Sequence, residues 1–295
     1  MNFNPKVSII IPVYNGANYL QQAIDSAVAQ DYANIEIIVI NDGSNDEGVT
    51  EQIALSYGEK VKYFFKPNGG VATALNLGIE QMTGEYFSWL SHDDIYLPNK
   101  VSSQIKYLSE LSDKNVALFS DFDIINESGD VCHKNIFDHE WLEKKPLYAL
   151  LRSCIHGCSL LIPRMFFDKY GVFNADLKTT QDYDLWFLMI RKEKFIHISE
   201  TLIKSRAHLE QDTYKHPNAL SEANELWIKM MKDLTKEEIL LCENSVFDFY
   251  IKMYLFLANN SPYTVATKYA LQKAKKSSFV YYLLYKYKLR KMTHL

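Results

Sequence analysis

The sequence predicts an α/β fold in which a mixed, mostly parallel sheet is flanked by helices and followed by a helical C-terminal region. Through the first half of the chain, continuous apolar runs such as Val7–Val13 alternate with amphipathic stretches such as Asn18–Gln30. That alternation is typical of buried parallel strands joined by helices. From Pro217 to the end the pattern is helical. We therefore expect two parts, residues 1–215 and residues 216–295.

Each element is predicted from the period of its apolar residues. Val7–Val13 and Ile35–Ile40 are rich in β-branched residues, as buried strands are. The helix between them places Leu20 and Ile24 on one face. Asn126–Asp130 has the composition of a hairpin turn. The remaining predicted strands are Val61–Phe65, Tyr86–Leu90, Val116–Phe122 and Cys158–Ile162, and the remaining predicted helices are Asp46–Tyr57, Val71–Met82, Leu97–Leu111 and Gln181–Arg191.

The composition is that of a soluble globular protein. Of the 295 residues, 47% are hydrophobic and 23% are charged. No apolar run approaches the roughly 18 residues that a membrane span needs. The N-terminus has no basic start followed by a long apolar stretch, so we expect no signal peptide. The four cysteines form no Cys-x-x-Cys pair, which disfavours a zinc site and fits the reduced thiols of a cytoplasmic protein.

The charge is distributed unevenly along the chain. The net charge is −4, yet residues 249–295 contain nine Lys and Arg and no acidic residue. Tyr281–Lys291 interleaves aromatic residues and Leu with cations, which is typical of a segment on an anionic membrane surface. A helix packed on the protein with its Lys side chains outward would give the same pattern. We therefore expect a cytoplasmic protein that could contact the inner face of the membrane, and no nucleic-acid partner, because the rest of the chain is acidic.

Polar loops follow three of the predicted strands, at Asn41–Ser44, Pro67–Gly70 and Ser91–Asp94. Ligands of open α/β sheets bind at the carboxyl ends of the strands, so the loops should meet at one edge. Asp42 could accept a hydrogen bond from a nucleobase or a ribose hydroxyl, or it could cap the next helix. The glycines of the second loop could let the backbone approach a ligand, or form a plain turn. The chain lacks Gly-x-Gly-x-x-Gly and Gly-x-x-x-x-Gly-Lys-Ser, which disfavours dinucleotide and ATPase-type phosphate sites.

Three further acidic or basic positions are candidates for chemistry. The adjacent carboxylates of Asp93 and Asp94 repel each other, and a divalent cation that also binds substrate phosphates would relieve the repulsion. A solvated acidic turn is the alternative. Asp182, in the first turn of its helix, could be a general base or a capping group. Arg206 and His208 lie two residues apart on an extended segment, so they share a face that would suit a diphosphate or a metal, although a lone His is commonly structural.

Six motifs, taken in order, resemble those of glycosyltransferase family 2, which has the GT-A fold. They extend from residue 7 to about residue 213, some two-thirds of the chain. The motifs are Pro12-Val13-Tyr14-Asn15, Asn41-Asp42-Gly43-Ser44, Asn68-Gly69-Gly70 leading into Ala74-Leu75-Asn76-x-Gly78, Ser91-His92-Asp93-Asp94, Gln181-Asp182-Tyr183-Asp184-Leu185-Trp186, and His208-x-x-Gln211.

The resemblance implies an inverting, metal-dependent enzyme that uses a nucleotide sugar, with Asp42 on the base and the metal on the diphosphate. Three positions depart from the family pattern, since Asn41, Ser91 and Gln181 stand where Asp, Asp and Glu are usual. The second departure weakens the case for the metal. The implied nucleotide-sugar-binding residues are Pro12, Tyr14, Asn15, Asp42, Asn68, Gly69, Asn76, His92 and Asp93; the implied ligands of Mn²⁺ or Mg²⁺ are Asp93, Asp94 and His208; the implied catalytic base is Asp182.

The resulting hypothesis is transfer of a sugar from a nucleotide diphosphate sugar, most simply a UDP-sugar, to an acceptor hydroxyl. The acceptor would be a glycan or a lipid-linked glycan in surface polysaccharide or other glycan biosynthesis, contacted by Ile155–Ser159. A catalytically inactive sugar-nucleotide binding protein is one alternative, but it would have no need of Asp182. A sugar-1-phosphate nucleotidyltransferase is another, and it would want a Gly-rich, Arg-containing loop where this chain has Pro12–Gly16.

Overall fold

The computed structural model describes residues 3–209, 211, 215–259 and 262–292, the last seven of these by their backbone alone. The chain divides into two compact units, Met1–Lys215 and His216–Leu295. The strands are β1 Val7–Val13, β2 Ile35–Asn41, β3 Lys62–Phe65, β4 Tyr86–Trp89, β5 Ile95–Tyr96, β6 Ala117–Ile125, β7 Val131–Asn135, β8 Ile162–Pro163 and β9 Phe195–Arg206. The helices of the first unit are α1 Leu20–Val28, α2 Val49–Leu55, α3 Val71–Gln81, α4 Lys100–Glu110, α5 His139–Lys144, α6 Leu147–Leu151, α7 Arg164–Tyr170 and α8 Gln181–Ile190.

The first sheet has the strand order β3-β2-β1-β4-β8. β1 pairs in parallel with both β2 and β4, and β2 pairs in parallel with β3, whereas the short β8 is antiparallel to β4. All seven residues of β1 are buried, as expected of a central strand covered on both faces. The predicted α/β fold with a mixed, mostly parallel sheet is confirmed.

The second sheet has the order β5-β9-β6-β7. β6 turns back into β7 at the predicted hairpin, where the Asn126 amide donates to the Asp130 carbonyl over 2.9 Å. β9 lies parallel to β6 and pairs with β5, which directly follows Asp94. β9 therefore brings Arg206 and the residues after it beside the Ser91–Asp94 loop. Neither β5 nor β9 was predicted, because β5 has two residues and the apolar pattern of β9 is interrupted by exposed polar residues at 199 and 200.

The prediction of a strand at Cys158–Ile162 is largely wrong. Gly157–Ser159 forms a 3₁₀ turn, and only Ile162–Pro163 joins the first sheet. The turn is closed by the Ser159 hydroxyl, which donates to the His156 carbonyl over 2.7 Å. The run is apolar because it is buried, and a buried turn has the same composition as a short buried strand.

The second unit is helical throughout its described residues. Its helices are α9 Ala219–Asp233, α10 Lys236–Cys242, α11 Val246–Asn259, α12 Thr264–Ser277 and α13 Phe279–Met292. Thr235 and Glu238 form a capping box that starts α10, and the Asn224 side chain accepts from the first turn of α12. Of the helices in the described part of the chain, none has the length and apolar character needed to cross a bilayer.

Candidate functional site

The carboxyl ends of β1, β2 and β4 lie side by side at one edge of the first sheet. The loops after these strands are tied together there. The Asn15 amide donates to the Ser44 hydroxyl over 2.8 Å, and the space beside Gly16 is so narrow that a Cβ atom there would lie 3.3 Å from the His92 ring. The loops that carry Tyr14, Asp42 and Asp93 therefore meet at one edge of the sheet.

Asp42 organises the glycine loop in the structure. Its buried carboxylate accepts hydrogen bonds from the Gly69 amide at 3.1 Å and from the Gly70 amide at 2.7 Å. It also pairs with the Lys66 ammonium. The Asp42 and Asn68–Gly70 motifs are thus in direct contact. A nucleobase that binds Asp42 would either share the carboxylate with the Lys66 ammonium or displace that ammonium.

The other residues implied for nucleotide contact differ in their surroundings. Tyr14 is 44% exposed at the sheet edge, and Pro12 is buried inside β1. Asn15 has a positive φ of 51° and exchanges two hydrogen bonds with Asn45. The Asn76 side chain bonds both the carbonyl and the amide of Phe173, at 2.8 and 2.9 Å. The polar atoms of Asn15 and Asn76 are therefore committed to holding loops in place.

Asp93 and His208 come together although 115 positions separate them. The His208 Nε2 and Asp93 Oδ2 atoms are 2.9 Å apart, and Gln211 Nε2 lies 3.4 Å from the same oxygen. Burial alone would raise the pKa of Asp93, but the neighbouring His92 and the bonded His208 outweigh it, so its pKa lies below the ordinary value. Asp93 is therefore an ionised carboxylate within a largely buried, histidine-rich cluster.

Asp94 faces a different set of partners from Asp93. Its Oδ1 accepts from the Arg206 amide at 2.8 Å. Its Oδ2 accepts from the Cys158 thiol at 3.2 Å and lies 3.9 Å from His156 Nε2. Complete burial and the charge of Asp93 raise the pKa of Asp94 to about 8. Asp94 therefore ties the Ser91–Asp94 loop to β9 and to the 155–159 segment.

The sequence did not predict that His156 and Cys158 lie next to the Ser91–Asp94 loop. Their ligand atoms and those of Asp94 all lie within 4.8 Å of one another. Burial lowers the pKa of His156 to about 4 and raises that of Cys158, so both side chains are neutral near pH 7. Their position in an apolar stretch gave no signal in the sequence.

The expectation that Arg206 faces a diphosphate is wrong, because Arg206 is 1% exposed. Its Nε donates to the Asp93 carbonyl at 3.0 Å, and its Nη1 donates to the carbonyls of Asn126 and Glu127. Its Nη2 donates to Gln22 Oε1 at 2.9 Å. The guanidinium therefore makes four hydrogen bonds to the protein, and its charge lies buried next to the Ser91–Asp94 loop.

Asp182 lies in the first turn of α8 and is partly exposed. Its Oδ1 accepts from the Tyr183 amide at 2.8 Å, and burial of the carboxylate raises its pKa to about 6. The Tyr183 hydroxyl donates to the Ile155 carbonyl at 2.8 Å. Since Cys158 of the same segment bonds Asp94, the segment 155–159 links the Asp182 helix to the Ser91–Asp94 loop.

The donor atoms of Asp93 and His208 fit a divalent cation. A carboxylate oxygen suits Mg²⁺ or Mn²⁺, and an imidazole nitrogen favours a transition metal, so the pair fits Mn²⁺ better than Mg²⁺. The second ring nitrogen of His208, Nδ1, is buried and has no hydrogen-bond partner among the described residues. The ring is thus held mainly through the Nε2 atom that faces Asp93.

Comparison with known proteins identifies the family of the chain. Residues 8–171 match the family described as Glycosyl transferase family 2. A Rickettsia felis protein named "Uncharacterized glycosyltransferase" is 51% identical over 275 residues, which are 92% of this chain and 46% of that protein. The chain therefore spans about half the length of this relative.

Two solved structures have the same fold at low sequence identity. S. aureus TarS 1-349 in complex with UDP-GlcNAc has a TM-score of 0.64 at 15% identity, covering 96% of this chain and 92% of that chain. The mannosyltransferase PcManGT from Pyrobaculum calidifontis, in complex with GDP-Man and Mn²⁺, has a TM-score of 0.61 at 16% identity, covering 100% of this chain and 82% of that chain. The GT-A fold implied by the sequence motifs is confirmed.

Proposed function

The chain belongs to glycosyl transferase family 2, and from that premise we propose that it transfers a sugar from a UDP-sugar to an acceptor hydroxyl with inversion at the anomeric carbon. The observation that carries the proposal is the meeting of Asp93 with His208 at the edge where the Asp42 loop also lies. A nucleoside site, a cation site and a carboxylate base are the parts such a reaction needs.

Asp42 and Tyr14 are proposed to hold the uridine. The Asp42 carboxylate can accept a hydrogen bond from the imide N–H of uracil, and the exposed Tyr14 ring can stack on the base. UDP-GlcNAc is bound by TarS, which shares the fold, whereas PcManGT binds GDP-Man. The fold therefore accommodates either nucleotide, and the UDP assignment rests on Asp42.

Asp93 and His208 are proposed as the protein ligands of Mn²⁺ or Mg²⁺, with Asp94 as support rather than as a direct ligand. The bound cation would neutralise charge on the diphosphate leaving group. Both oxygens of Asp94 are engaged by Arg206 and Cys158. This assignment narrows the ligand set implied by the motifs from three residues to two.

Asp182 is proposed as the catalytic base. Its carboxylate would accept the proton of the acceptor hydroxyl as that oxygen forms a bond to the anomeric carbon. The bond from that carbon to the diphosphate oxygen breaks in the same step, on the opposite face, so the configuration inverts. A pKa of about 6 leaves the carboxylate ionised at pH 7.5 while making it a stronger base than an ordinary Asp.

The acceptor is proposed to be a glycan or lipid-linked glycan, with the enzyme in the cytoplasm at the inner face of the membrane. Phe279, Val280, Tyr281, Leu283 and Leu284 of α13 are each more than half exposed. Lys and Arg follow them in the sequence. Exposed aromatic and aliphatic residues beside cations are what an anionic lipid surface binds.

Co-sedimentation with vesicles tests the membrane part. We expect the whole chain to pellet with phosphatidylserine vesicles and to remain in solution with phosphatidylcholine vesicles. A variant with Lys286, Lys288, Arg290 and Lys291 changed to Gln should lose the binding. Equal pelleting of the two proteins would reject a role for these cations.

Product analysis with a panel of UDP-, GDP- and dTDP-sugars tests the reaction. With Mn²⁺ and an acceptor, we expect release of UDP from one UDP-sugar, and loss of the release in excess EDTA. Release of pyrophosphate in the presence of a sugar 1-phosphate and a nucleoside triphosphate would instead identify a nucleotidyltransferase. Donor binding, measured as a rise in Tm, without turnover by any acceptor would favour the inactive binding protein.

A further inference from the structure

Arg206 is a buried cation whose side chain joins three parts of the first unit. Its four side-chain hydrogen bonds run to the carbonyls of Asp93, Asn126 and Glu127 and to the Gln22 amide oxygen, at 2.8 to 3.0 Å. These acceptors lie on the Ser91–Asp94 loop, the β6–β7 turn and α1. Burying a guanidinium against neutral oxygens costs free energy. Its hydrogen bond to the Asp93 carbonyl indicates that it holds the Asp93 backbone in place.

Tyr19 connects Arg206 with His208, the side chain that lies against Asp93. The guanidinium carbon lies 4.3 Å from the centre of the Tyr19 ring. The Tyr19 ring in turn packs on the His208 ring, with 5.4 Å between centroids and planes inclined by 52°. Tyr19 therefore bridges Arg206 to His208 through a cation–π contact and a ring contact.

Both sets of contacts support the hydrogen bond between Asp93 and His208. Arg206 fixes the backbone of Asp93 through Nε, and it supports the ring of His208 through Tyr19. Gln211 closes the arrangement, because its Nε2 donates to the Arg206 carbonyl at 2.8 Å and lies 3.4 Å from Asp93 Oδ2. We propose that Arg206 and Tyr19 are positioning residues that hold Asp93 and His208 at the separation needed to bind the metal of the donor complex. The inference rests on the proposed function of that pair.

Lysine cannot replace arginine in this position. The planar guanidinium directs five N–H donors in fixed directions and stacks on a ring, whereas an ammonium group is a point charge with three donors. In Arg206→Lys the charge is kept, but the lysine side chain cannot bond the Ser91–Asp94 loop, the β6–β7 turn and α1 together. Loosening the support of metal ligands typically lowers metal affinity about 10- to 100-fold. We expect a loss of that size for Mn²⁺.

The experiment measures Mn²⁺ binding in the presence of UDP, from the electron paramagnetic resonance signal of free Mn²⁺, together with steady-state rates. For Arg206→Lys, we expect the Mn²⁺ concentration for half-maximal rate to rise at least about tenfold. At saturating Mn²⁺, kcat should return to within about threefold of wild type, because Arg206 does not touch substrate. A loss of kcat that Mn²⁺ does not restore, with unchanged Mn²⁺ affinity, would overturn the inference.

Tyr19 provides a second and milder test. Tyr19→Leu removes the ring that contacts both Arg206 and His208, so Mn²⁺ affinity should fall by about tenfold. Tyr19→Phe keeps the ring, so its Mn²⁺ affinity should stay within about threefold of wild type. If Arg206→Lys fails to fold, this pair decides the question by itself. Equal Mn²⁺ affinity in Tyr19→Leu and wild type would overturn the inference.

Lys100 offers a matched control, since it is also a fully buried cation of the same unit. Its ammonium donates to the Leu160 carbonyl at 3.1 Å and to the Ser88 hydroxyl, and it lies over the Tyr96 ring. Lys100→Met should lower the Tm yet leave Mn²⁺ affinity within about threefold of wild type. Equal weakening of Mn²⁺ binding in both variants would mean that any buried defect produces the effect, and the inference would fall.

The wild-type protein separates this inference from the proposed function. If wild type with UDP binds no Mn²⁺ or Mg²⁺, the metal site itself is wrong and the positioning role falls with it. If wild type binds Mn²⁺ tightly and Arg206→Lys binds it equally well, only the positioning role is wrong.

Discussion

Two loops at the same sheet edge, the Asp42 loop and the Asp93 loop, are held in opposite ways. Asp42 is fixed by Lys66, Gly69 and Gly70, which lie 24 to 28 positions further along the chain. Asp93 and Asp94 are fixed by Arg206, His208 and Gln211, which lie 112 to 118 positions away. The first loop depends on neighbouring βα units, whereas the second depends on correct docking of β9. Changes at the second loop should therefore have the larger consequences. The proposed catalytic base, Asp182, lies in neither loop.

The largest effect is expected at Asp182. A change there that slows proton transfer without weakening donor binding would show that the base acts separately from the two loops. Asp182→Asn should lower kcat by about 10²- to 10⁴-fold, because the amide cannot accept the acceptor proton. The KM for the donor should stay within about threefold of wild type. Steady-state rates of UDP release measure both constants. Asp184→Asn, two residues along the same helix, is the control and should keep most of the activity.

The next largest effect distinguishes the two adjacent carboxylates. Asp93→Asn removes a charged group that contacts His208, so Mn²⁺ affinity should fall by about 10- to 100-fold. Asp94→Asn should cost less than about tenfold in rate, because a buried carboxyl with a pKa of about 8 is already neutral near pH 7. Equal losses of Mn²⁺ affinity in both variants would show that Asp94 is a ligand after all.

Asp94 also gives the protein a pH-dependent stability. Burial and the charge of Asp93 raise the pKa of Asp94 from its ordinary value of 3.8 to about 8 in the folded chain, so the folded state binds this proton more tightly than the unfolded state does. The stabilisation from this group is present below about pH 4 and is lost as the pH rises towards 8. The Tm of wild type relative to Asp94→Asn should therefore fall between pH 5 and pH 8, by about 2–4 °C per kcal/mol lost. A constant difference in Tm over that range would contradict the assignment of a neutral Asp94.

The pH dependence of activity tests the base independently of any substitution. The pKa of Asp182 is about 6 because the carboxylate is buried. Its active form is the ionised one, so kcat should fall about tenfold per pH unit below pH 6 and level off above pH 7. A profile without an acidic limb near pH 6 would argue against Asp182.

The smallest effects are expected at the locally held loop. Asp42→Asn should raise the KM for the donor by about tenfold, as expected for the loss of one charged hydrogen bond to the base. Lys66→Met should change KM by less than about threefold, because the Gly69 and Gly70 amides still bind the Asp42 carboxylate when the Lys66 ion pair is lost. A larger effect of Lys66→Met than of Asp93→Asn would invert the order proposed for the two loops.

The sequence was sufficient to predict the four parallel strands of the first sheet, β1 to β4, because each is a mainly apolar run bounded by turn residues. The same property allowed Asp42, the Asn68–Gly70 loop and the Ser91–Asp94 loop to be assigned to one edge. β9 could not be predicted, because the exposed polar residues Ser199 and Glu200 interrupt its apolar pattern. The strand proposed at Cys158–Ile162 failed since burial, rather than strand formation, explains its composition.

Side-chain direction limited the prediction of the site. Asp93 and Asp94 look equivalent in the sequence, but successive residues of an extended turn face different ways, so one meets His208 and the other meets Cys158. Arg206 and His208 were expected to share a face, yet the Arg206 side chain turns inward to reach three carbonyls. Such choices depend on residues that lie 64 to 115 positions apart, which no local pattern reports.

The most direct test is a crystal structure of the protein grown with UDP and Mn²⁺, with the metal located by anomalous scattering. We predict one Mn²⁺ ion coordinated by Asp93, His208 and the diphosphate, with uracil against Asp42. A metal bound instead by Asp94, His156 and Cys158, or a uridine away from the ends of β1 and β2, would contradict the proposed site.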